Sequence, residues 1–192
     1  MALGHAFSDL PLLEQALTHR SFGRRNNERL EFLGDALLNM LVAEFVYEQH
    51  PRASEGEMTR LRASLVCGSA LAELARGEEI GDELLLGPGE LKTGGFRRES
   101  ILADTFEALI AAIYLDAGWE TCRSTVRGLF ESRVVGTQAL VAKDAKTSLQ
   151  ELLQANALAL PCYDLVSCIG DDHAKVFEVA CSIEALDLRE VG

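Results

Sequence analysis

Apolar side chains recur every three or four residues over most of the first 133 positions, which restricts this part of the chain to a helical fold. One helix is predicted over the stretch Asn27 to Glu48 and a second over Met58 to Ala75. A third helix is predicted to begin at Ser100 and end at Asp116-Ala117-Gly118, and a fourth to run from about Trp119 to Arg133. The stretch Gly77 to Gly95 holds six of the 16 glycines and is predicted to be a connector.

Beyond Pro161 the apolar period changes to two, which is typical of a β-strand. The sequence therefore predicts a short helix over Ser148 to Asn156, followed by strands over Tyr163 to Ile169 and Lys175 to Glu184. The fold class expected is mainly α: a helical domain over residues 1–135, a linker over 136–145 and a partial α+β module (α-β-β) over 146–192. Residues Leu186 to Val191 offer at most the start of another strand, and a helix with one hairpin is a poor independent fold.

Composition excludes several classes of protein. The longest apolar run, Ala108 to Leu115, has eight residues, whereas a membrane span needs roughly twenty. The first ten residues lack the basic and apolar regions of a secretory signal. Five cysteines, an odd number with no C-x-x-C pair, favour a reduced, cytoplasmic protein. The motif G-x-x-x-x-G-K-[ST] is absent, so no nucleotide cofactor is expected.

The net charge of −12 argues against a polyanionic partner. Attraction between basic side chains and phosphate supplies most non-specific affinity for nucleic acid. On charge alone, nucleic acid would be excluded.

Carboxylates lie among apolar residues in two of the predicted helices. Glu28, Glu31 and Asp35 fall on one helix face, and Asp104 and Glu107 are neighbours in the most apolar segment. Carboxylates in such places are unfavourable unless they are paired or bind a metal. If the two helices pack together, the last four of these acids can converge on one point. An all-carboxylate site suits Mg²⁺ or Mn²⁺.

The alternative is that these acids are solvated or pair with arginines. Arg24, Arg25 and Arg29 lie near the first group of acids, and Arg97 and Arg98 near the second. Acid pairs spaced three residues apart are common on helices, so the spacing alone leaves both interpretations open.

Four segments of the chain resemble the ribonuclease III family in its bacterial form with one endonuclease domain. They are LTHRSF from Leu17, NERLEFLGDALL from Asn27, EGEMTRLRASLV from Glu55 and GGFRRESILADTFEALIAAIYLDAG from Gly94. The resemblance implies an all-helical endonuclease domain that hydrolyses double-stranded RNA with Mg²⁺, or Mn²⁺ as a substitute. It further implies 5′-phosphate and 3′-hydroxyl ends. The implied substrates are ribosomal RNA precursors and other structured transcripts, messenger and transfer RNA among them.

The resemblance also assigns roles to the acids. Glu31, Asp35, Asp104 and Glu107 match the metal-binding quartet, in which Asp35 and Glu107 match the decisive catalytic residues. Glu28 and Glu55 match two further acids that support the site or the dimer. Setting these six aside leaves 24 acidic against 18 basic residues, so a metal resolves part of the charge conflict.

Two regions are expected to contact RNA. Arg97 and Arg98 follow Gly94-Gly95 just before a helix N-terminus, where backbone N–H groups and arginines can bind phosphate. A flexible loop with solvated arginines is the alternative. The tail resembles the first half of a double-stranded-RNA-binding domain, with Gln150 and Gln154 on its first helix and His173 in its hairpin loop.

This tail departs from the family pattern. The family continues with a full third strand and a lysine-rich second helix, whereas residues 146–192 hold three basic against eight acidic residues. A truncated domain with weak RNA affinity is expected.

The family resemblance also implies a homodimer. Phe32 is a candidate for subunit packing, and a place in the core is its alternative. His19 is either a general base or, more in keeping with a lone histidine, a structural or RNA-edge residue. A non-catalytic RNA-binding factor would be a rival function, but the complete acid set argues against it. A metal-binding helical scaffold for protein partners is a weaker rival that the net acidity would suit.

Overall fold

The computed structural model describes residues 3–136, 145–169 and 176–192, which belong to two compact units, 1–141 and 142–192. The predicted linker, 136–145, lies mostly outside the described residues. The first unit is helical. Its helices are α1 (Leu10–Leu17), α2 (Glu28–Gln49), α3 (Glu55–Leu65), α4 (Gly68–Gly77), α5 (Ile80–Glu83), α6 (Pro88–Lys92) and α7 (Glu99–Gly136), with a 3₁₀ turn at Gly95–Arg97.

Helix α7 is the centre of the first unit and packs against α1, α2 and α4. Its residues 108–113 are all fully buried, because neighbouring helices cover it on several sides. Helix α2 contributes Leu38 and Val42 to the same core, both with no exposed surface. Burial of these apolar faces is the main force that holds the two helices together. No helix in the described ranges is long and apolar enough to cross a membrane.

The predicted helix boundary at Asp116-Ala117-Gly118 is confirmed by a kink in α7. Gly118 has φ 81° and ψ −178°, a left-handed conformation that glycine adopts at little cost. Next to the kink, the carboxylate of Asp116 accepts hydrogen bonds from His5 Nε2 at 2.7 Å and from the backbone N–H groups of Ser8 and Asp9. The chain before α1 is thereby attached to α7.

Two predictions for the middle of the first unit are wrong. The single helix expected over Met58 to Ala75 is two helices, because Cys67 has extended backbone (ψ 152°) between α3 and α4. This break lets α3 pack on α2 while α4 packs on α7. The connector expected over Gly77 to Gly95 contains α5 and α6, since Pro88 pre-sets the backbone for the first turn of a helix.

The second unit is a helix followed by an antiparallel sheet. Helix α8 (Ala145–Ala155) precedes strands β1 (Cys162–Ile169), β2 (Val176–Ile183) and β3 (Leu188–Val191), in the order β1-β2-β3. Cys162 pairs with Ser182, and β3 pairs with β2. The mainly α fold class with a small α+β module is confirmed. The third strand is more complete than the sequence predicts, because its backbone pairs with β2 although all its side chains are exposed.

Candidate metal centre

The candidate site lies where α2 crosses α7, and a glycine sets how closely they approach. A Cβ at Gly34 would overlap the carbonyl oxygen of Glu107 and lie 3.0 Å from its Cα. Residues without a side chain permit such backbone contact. One turn before Gly34, α2 carries Glu31, and one turn before Glu107, α7 carries Asp104. The close crossing therefore brings acids of two helices together.

Three carboxylates converge at this crossing. Glu31, Asp104 and Glu107 each place one oxygen within 4.8 Å of the others, and all three residues are half-buried. Within residues 3–136, the ion pairs do not include these carboxylates. An oxygen-only set of charged ligands at this spacing fits a small divalent cation.

Three of the five arginines that could have paired with these acids are engaged elsewhere, and the ion pairs within residues 3–136 do not join Arg24 or Arg29 to them. Arg25 donates from Nε to Gln15 Oε1 at 3.1 Å. Arg98 pairs with Glu90 at 3.0 Å, and Arg97 lies over the ring of Phe96 at 5.0 Å. For Glu31, Asp104 and Glu107, the structure therefore disfavours the arginine-paired alternative.

Burial and mutual repulsion make the cluster unfavourable when all three acids are charged. Burial, followed by the charges of Asp35, Asp104 and Glu31, raises the pKa of Glu107 to about 8. Burial also raises the pKa of Glu31 and of Asp104, and for Glu31 the charge of Asp104 adds to it. A divalent cation would offset both effects by stabilising the charged carboxylates, so the electrostatics of the cluster suit a metal site.

Asp35 lies beside the cluster but faces outward. Its side chain is exposed, and its Oδ1 accepts a hydrogen bond from Asn39 Nδ2 at 2.9 Å. Its charge nevertheless acts on both Glu107 and Glu31. Of the predicted quartet, three acids converge and the fourth lies at the edge.

The two predicted supporting acids lie in different places. Glu28 is at the rim, where it faces Arg20 at 3.6 Å and its charge acts on Glu31. Glu55 is the first residue of α3 and accepts from Thr59 Oγ1 at 3.0 Å. Glu55 also lines a groove of about 410 Å³ between α2 and α3.

This groove is mainly apolar, and Phe32 lies on the same helix. Met40, Tyr47 and Met58 line the groove, with Met40 and Tyr47 exposed to 52% and 71%. Phe32 is 81% exposed, so its alternative as a core residue is wrong for the single chain.

The segment between α1 and α2, residues 18–27, contributes two charged residues that the pattern of acids alone does not indicate. Arg20 and His19 are the groups whose positive charge opposes the raised pKa of Asp104. His19 Nδ1 forms a 2.8 Å hydrogen bond with Ser21 Oγ, which also accepts from the Gly87 backbone N–H at 3.0 Å. His19 therefore has a structural contact. The signal for Arg20 was its place in the segment that joins α1 to the acid-bearing helix α2.

The predicted RNA contacts belong to both units. Arg97 and Arg98 are exposed at the 3₁₀ turn before α7, in the first unit. On α8, in the second unit, Gln150 is half-buried and Gln154 is exposed. His173 lies outside the described residues.

Comparison with known proteins gives matches over nearly the whole chain. The family described as Ribonuclease-III-like matches residues 9–133. The chain is 58% identical over 183 residues to Ribonuclease 3 of Marinomonas sp. (strain MWYL1), covering 95% of this chain and 81% of the relative. It is 52% identical over 190 residues to Ribonuclease 3 of Shewanella loihica (strain ATCC BAA-1088 / PV-4), covering 99% and 84%.

Solved structures also match this chain, among them a nuclease domain of ribonuclease III. The nuclease domain of ribonuclease III from Campylobacter jejuni, described for structural flexibility in a region involved in dimer formation, matches with a TM-score of 0.66 and 42% identity. The match covers 68% of this chain and 92% of that one. Dicer from Pichia stipitis shares the fold, with a TM-score of 0.58 and 24% identity over 98% of this chain and 87% of that one.

Proposed function

Because the chain belongs to the ribonuclease III family and is an endoribonuclease, we propose that it cuts double-stranded RNA with Mg²⁺ held at the crossing of α2 and α7. The proposed ligands are Glu31, Asp104 and Glu107, with Asp35 completing the catalytic set from the edge. The observation that carries this proposal is the convergence of three half-buried carboxylates, none of which forms a salt bridge within residues 3–136.

The donor set fits Mg²⁺ better than softer metals. Carboxylate oxygens suit hard cations, and Mn²⁺ shares this preference and is proposed as a substitute. Bound at this site, Mg²⁺ would supply positive charge for the scissile phosphate and make water a stronger nucleophile. The raised pKa of Glu107 supports the proposal, because perturbed carboxylates cluster at functional sites.

The role proposed for each residue follows from its position at the crossing of α2 and α7. Glu107 lies where the backbone of α7 packs directly against Gly34 of α2. Asp35 is exposed and held by Asn39, so its carboxylate can orient an attacking water at the side from which RNA arrives. We assign the decisive catalytic roles to these two acids. Arg20, which faces Glu28 at the rim, adds positive charge for a phosphate.

The proposed reaction is hydrolysis of one phosphodiester bond. The oxygen of water bonds to phosphorus, the bond from phosphorus to the 3′ oxygen breaks, and the leaving oxygen gains a proton. The products would carry a 5′-phosphate and a 3′-hydroxyl. Ribosomal RNA precursors and other structured transcripts in the cytoplasm are the proposed substrates.

A homodimer would supply two such centres for the two strands of a duplex. Phe32 and the groove that contains Met40, Tyr47 and Glu55 give an exposed apolar surface on α2 and α3. A two-fold symmetric interface buries the same surface of both copies. We assign the supporting role of Glu55 to this dimer and that of Glu28 to the rim of the metal centre.

The remaining RNA contacts are proposed on the family resemblance. Arg97, Arg98, Gln150, Gln154 and His173 are assigned to RNA binding, with residues 1–135 as the endonuclease domain, 136–145 as the linker and 146–192 as the RNA-binding module. Arg98 would have to exchange its pairing with Glu90 for a phosphate.

The test is cleavage of a long RNA duplex by the purified chain. With Mg²⁺ we expect duplex fragments with 5′-phosphate ends, which a phosphate-dependent exonuclease then degrades. With EDTA we expect binding without cleavage. Metal-independent products, or RNA binding without any cleavage in Mg²⁺, would contradict the proposal, and the second result would favour a non-catalytic RNA-binding factor.

A further inference from the structure

Three buried polar residues of the first unit form one connected network. Thr18, Asn27 and Thr105 are 5%, 2% and 0% exposed, and they are the buried polar residues of the chain within its described ranges. The Asn27 backbone N–H donates to the Thr18 carbonyl at 2.9 Å. Asn27 Nδ2 donates to Thr105 Oγ1 at 3.4 Å, and Thr105 Oγ1 donates to the Ile101 carbonyl at 2.7 Å. The network thus joins three separate segments of the chain.

Asn27 lies at the start of a helix, but its side chain does not cap that helix. Asparagine is favoured at this position because its side chain caps the first N–H groups of the helix. Here the Asn27 side chain makes no capping hydrogen bond. The preceding residue caps instead, since Asn26 Oδ1 accepts from the Glu28 backbone N–H at 3.2 Å. The Asn27 amide is therefore available for a contact between helices.

The three segments joined by this network are those that carry the charged groups of the metal centre. Thr18 directly precedes His19 and Arg20, whose charges act on Asp104. Asn27 directly precedes α2, and its carbonyl accepts from the Glu31 backbone N–H at 2.8 Å. Thr105 lies between Asp104 and Phe106 on α7.

We propose that Asn27 and Thr105 are positioning residues, which fix α2 against α7 so that Glu31 meets Asp104 and Glu107 at the spacing a divalent cation needs. This inference rests on the proposed metal centre. Gly34 sets the distance between the two helices at one point, and the apolar side chains packed around it hold them together without a directional contact. The contact between Asn27 and Thr105 adds a second point, about two turns away along α2, and so defines the register.

Polar residues are suited to this role because their contact is directional. An apolar pair of the same size would fill the same space and could be as stable, since replacing both partners of a buried hydrogen bond by apolar groups is often nearly neutral. It would not specify one register. Outer contacts that orient metal ligands typically change metal affinity by about 10- to 100-fold when removed.

The test is the double variant Asn27→Leu/Thr105→Val in the full chain, with two readouts. The first is thermal stability in EDTA, and the second is Mn²⁺ affinity without RNA, measured by calorimetry or by the electron paramagnetic resonance of free Mn²⁺. We expect a stable fold with Mn²⁺ affinity lowered about tenfold. In cleavage assays, the Mg²⁺ concentration for half-maximal rate should rise by a similar factor, whereas kcat at saturating Mg²⁺ should change much less.

Single variants test the same contact if the double variant fails to fold. Thr105→Val removes the hydroxyl at constant shape and should lower Mn²⁺ affinity, whereas Thr105→Ser keeps the hydroxyl and should bind Mn²⁺ like the wild type. Val126→Ala, a core change farther along α7, is the control for stability alone and should leave the affinity unchanged.

The possible outcomes are distinct. Equal Mn²⁺ affinity in Thr105→Val and Thr105→Ser, or a loss of affinity no greater than that of Val126→Ala, would overturn the positioning role. A wild-type chain that does not bind Mn²⁺ would instead count against the proposed function.

Discussion

Gly34 on α2 lies directly against the backbone of Glu107 on α7, with no room for a Cβ between them. This contact makes the crossing of the two helices close enough for acids on both to share one space. It explains why a glycine lies inside a long helix, where it is ordinarily unfavourable. The proposed centre depends on this contact because Glu107 is both the point of contact and a proposed ligand.

Gly34→Ala should separate α2 from α7. The added Cβ would overlap the Glu107 carbonyl oxygen, and overpacking of this kind costs roughly 3 kcal/mol of unfolding free energy. Mn²⁺ affinity should fall together with stability. Gly128→Ala on α7 is the matched control, because a Cβ there meets nothing within 4 Å. It should be neutral or stabilise the chain by about 0.5–1 kcal/mol. Denaturant unfolding of both variants measures the contrast, and a harmless Gly34→Ala would contradict the close contact.

Stability in EDTA should fall as the pH rises from about 5 to 8. The fold raises the pKa of Glu107 from 4.5 to about 8, so the folded chain binds this proton more tightly than the unfolded chain does. The resulting stabilisation is fully present below pH 4.5 and is lost as the pH approaches 8. Saturating Mg²⁺ should reverse the loss, since a cation favours the charged form.

Glu107→Gln should remove much of this pH dependence. At pH 8 in EDTA its Tm should exceed that of the wild type by about 2–4 °C, which corresponds to ~1 kcal/mol for a chain of this size. The variant should gain little from Mg²⁺. Glu131→Gln, an exposed position farther along α7, is the control and should behave like the wild type. Thermal scans from pH 5 to 8 measure this. A variant with an unchanged pH profile would show that the charge of Glu107 does not destabilise the fold.

Phe32→Asp should convert a dimer to a monomer. Phe32 is the most exposed of the large apolar side chains within the described ranges, and a carboxylate in its place would be costly to bury in an interface. Analytical ultracentrifugation at micromolar concentration should give a dimer for the wild type and a monomer for the variant. The variant should also nick duplex RNA rather than break both strands. Leu91→Asp, at another exposed apolar position, is the control. A dimeric Phe32→Asp would place the interface elsewhere.

The sequence predicted most of the helices, because apolar periodicity is a local property. It also placed Glu31, Asp35, Asp104 and Glu107 where two packed helices could bring them together, and the structure brings three of these four acids together. The outward position of Asp35 was not predictable. Asp35 lies four residues along α2 from Glu31, about one turn, and so on the same face of the helix. The Asn39 amide one turn later nevertheless holds its carboxylate outward. The pattern of residues on a helix does not specify such a choice of side-chain partner.

The place of Glu55 and the break before α4 could not be predicted from the sequence either. Both depend on tertiary packing: α3 lies on α2, so Glu55 lines the groove there, and α4 must change direction to reach α7. The apolar spacing continues across Val66 and Cys67 without interruption, and neither residue is a strong helix breaker. An asparagine directly before a helix ordinarily predicts a cap, but Asn27 does not cap α2. Asn26 accepts from the Glu28 backbone N–H instead.

The measurement that tests the central claim most directly is cleavage of a long RNA duplex by Glu107→Gln and by Asp35→Asn in saturating Mg²⁺, with duplex binding measured in parallel. Each change removes one charge at nearly constant shape. We predict that the cleavage rate falls by at least about a hundredfold in each variant, while the fold and the duplex affinity are largely retained. Substantial Mg²⁺-dependent cleavage by either variant would show that the acids at the crossing of α2 and α7 are not the catalytic centre.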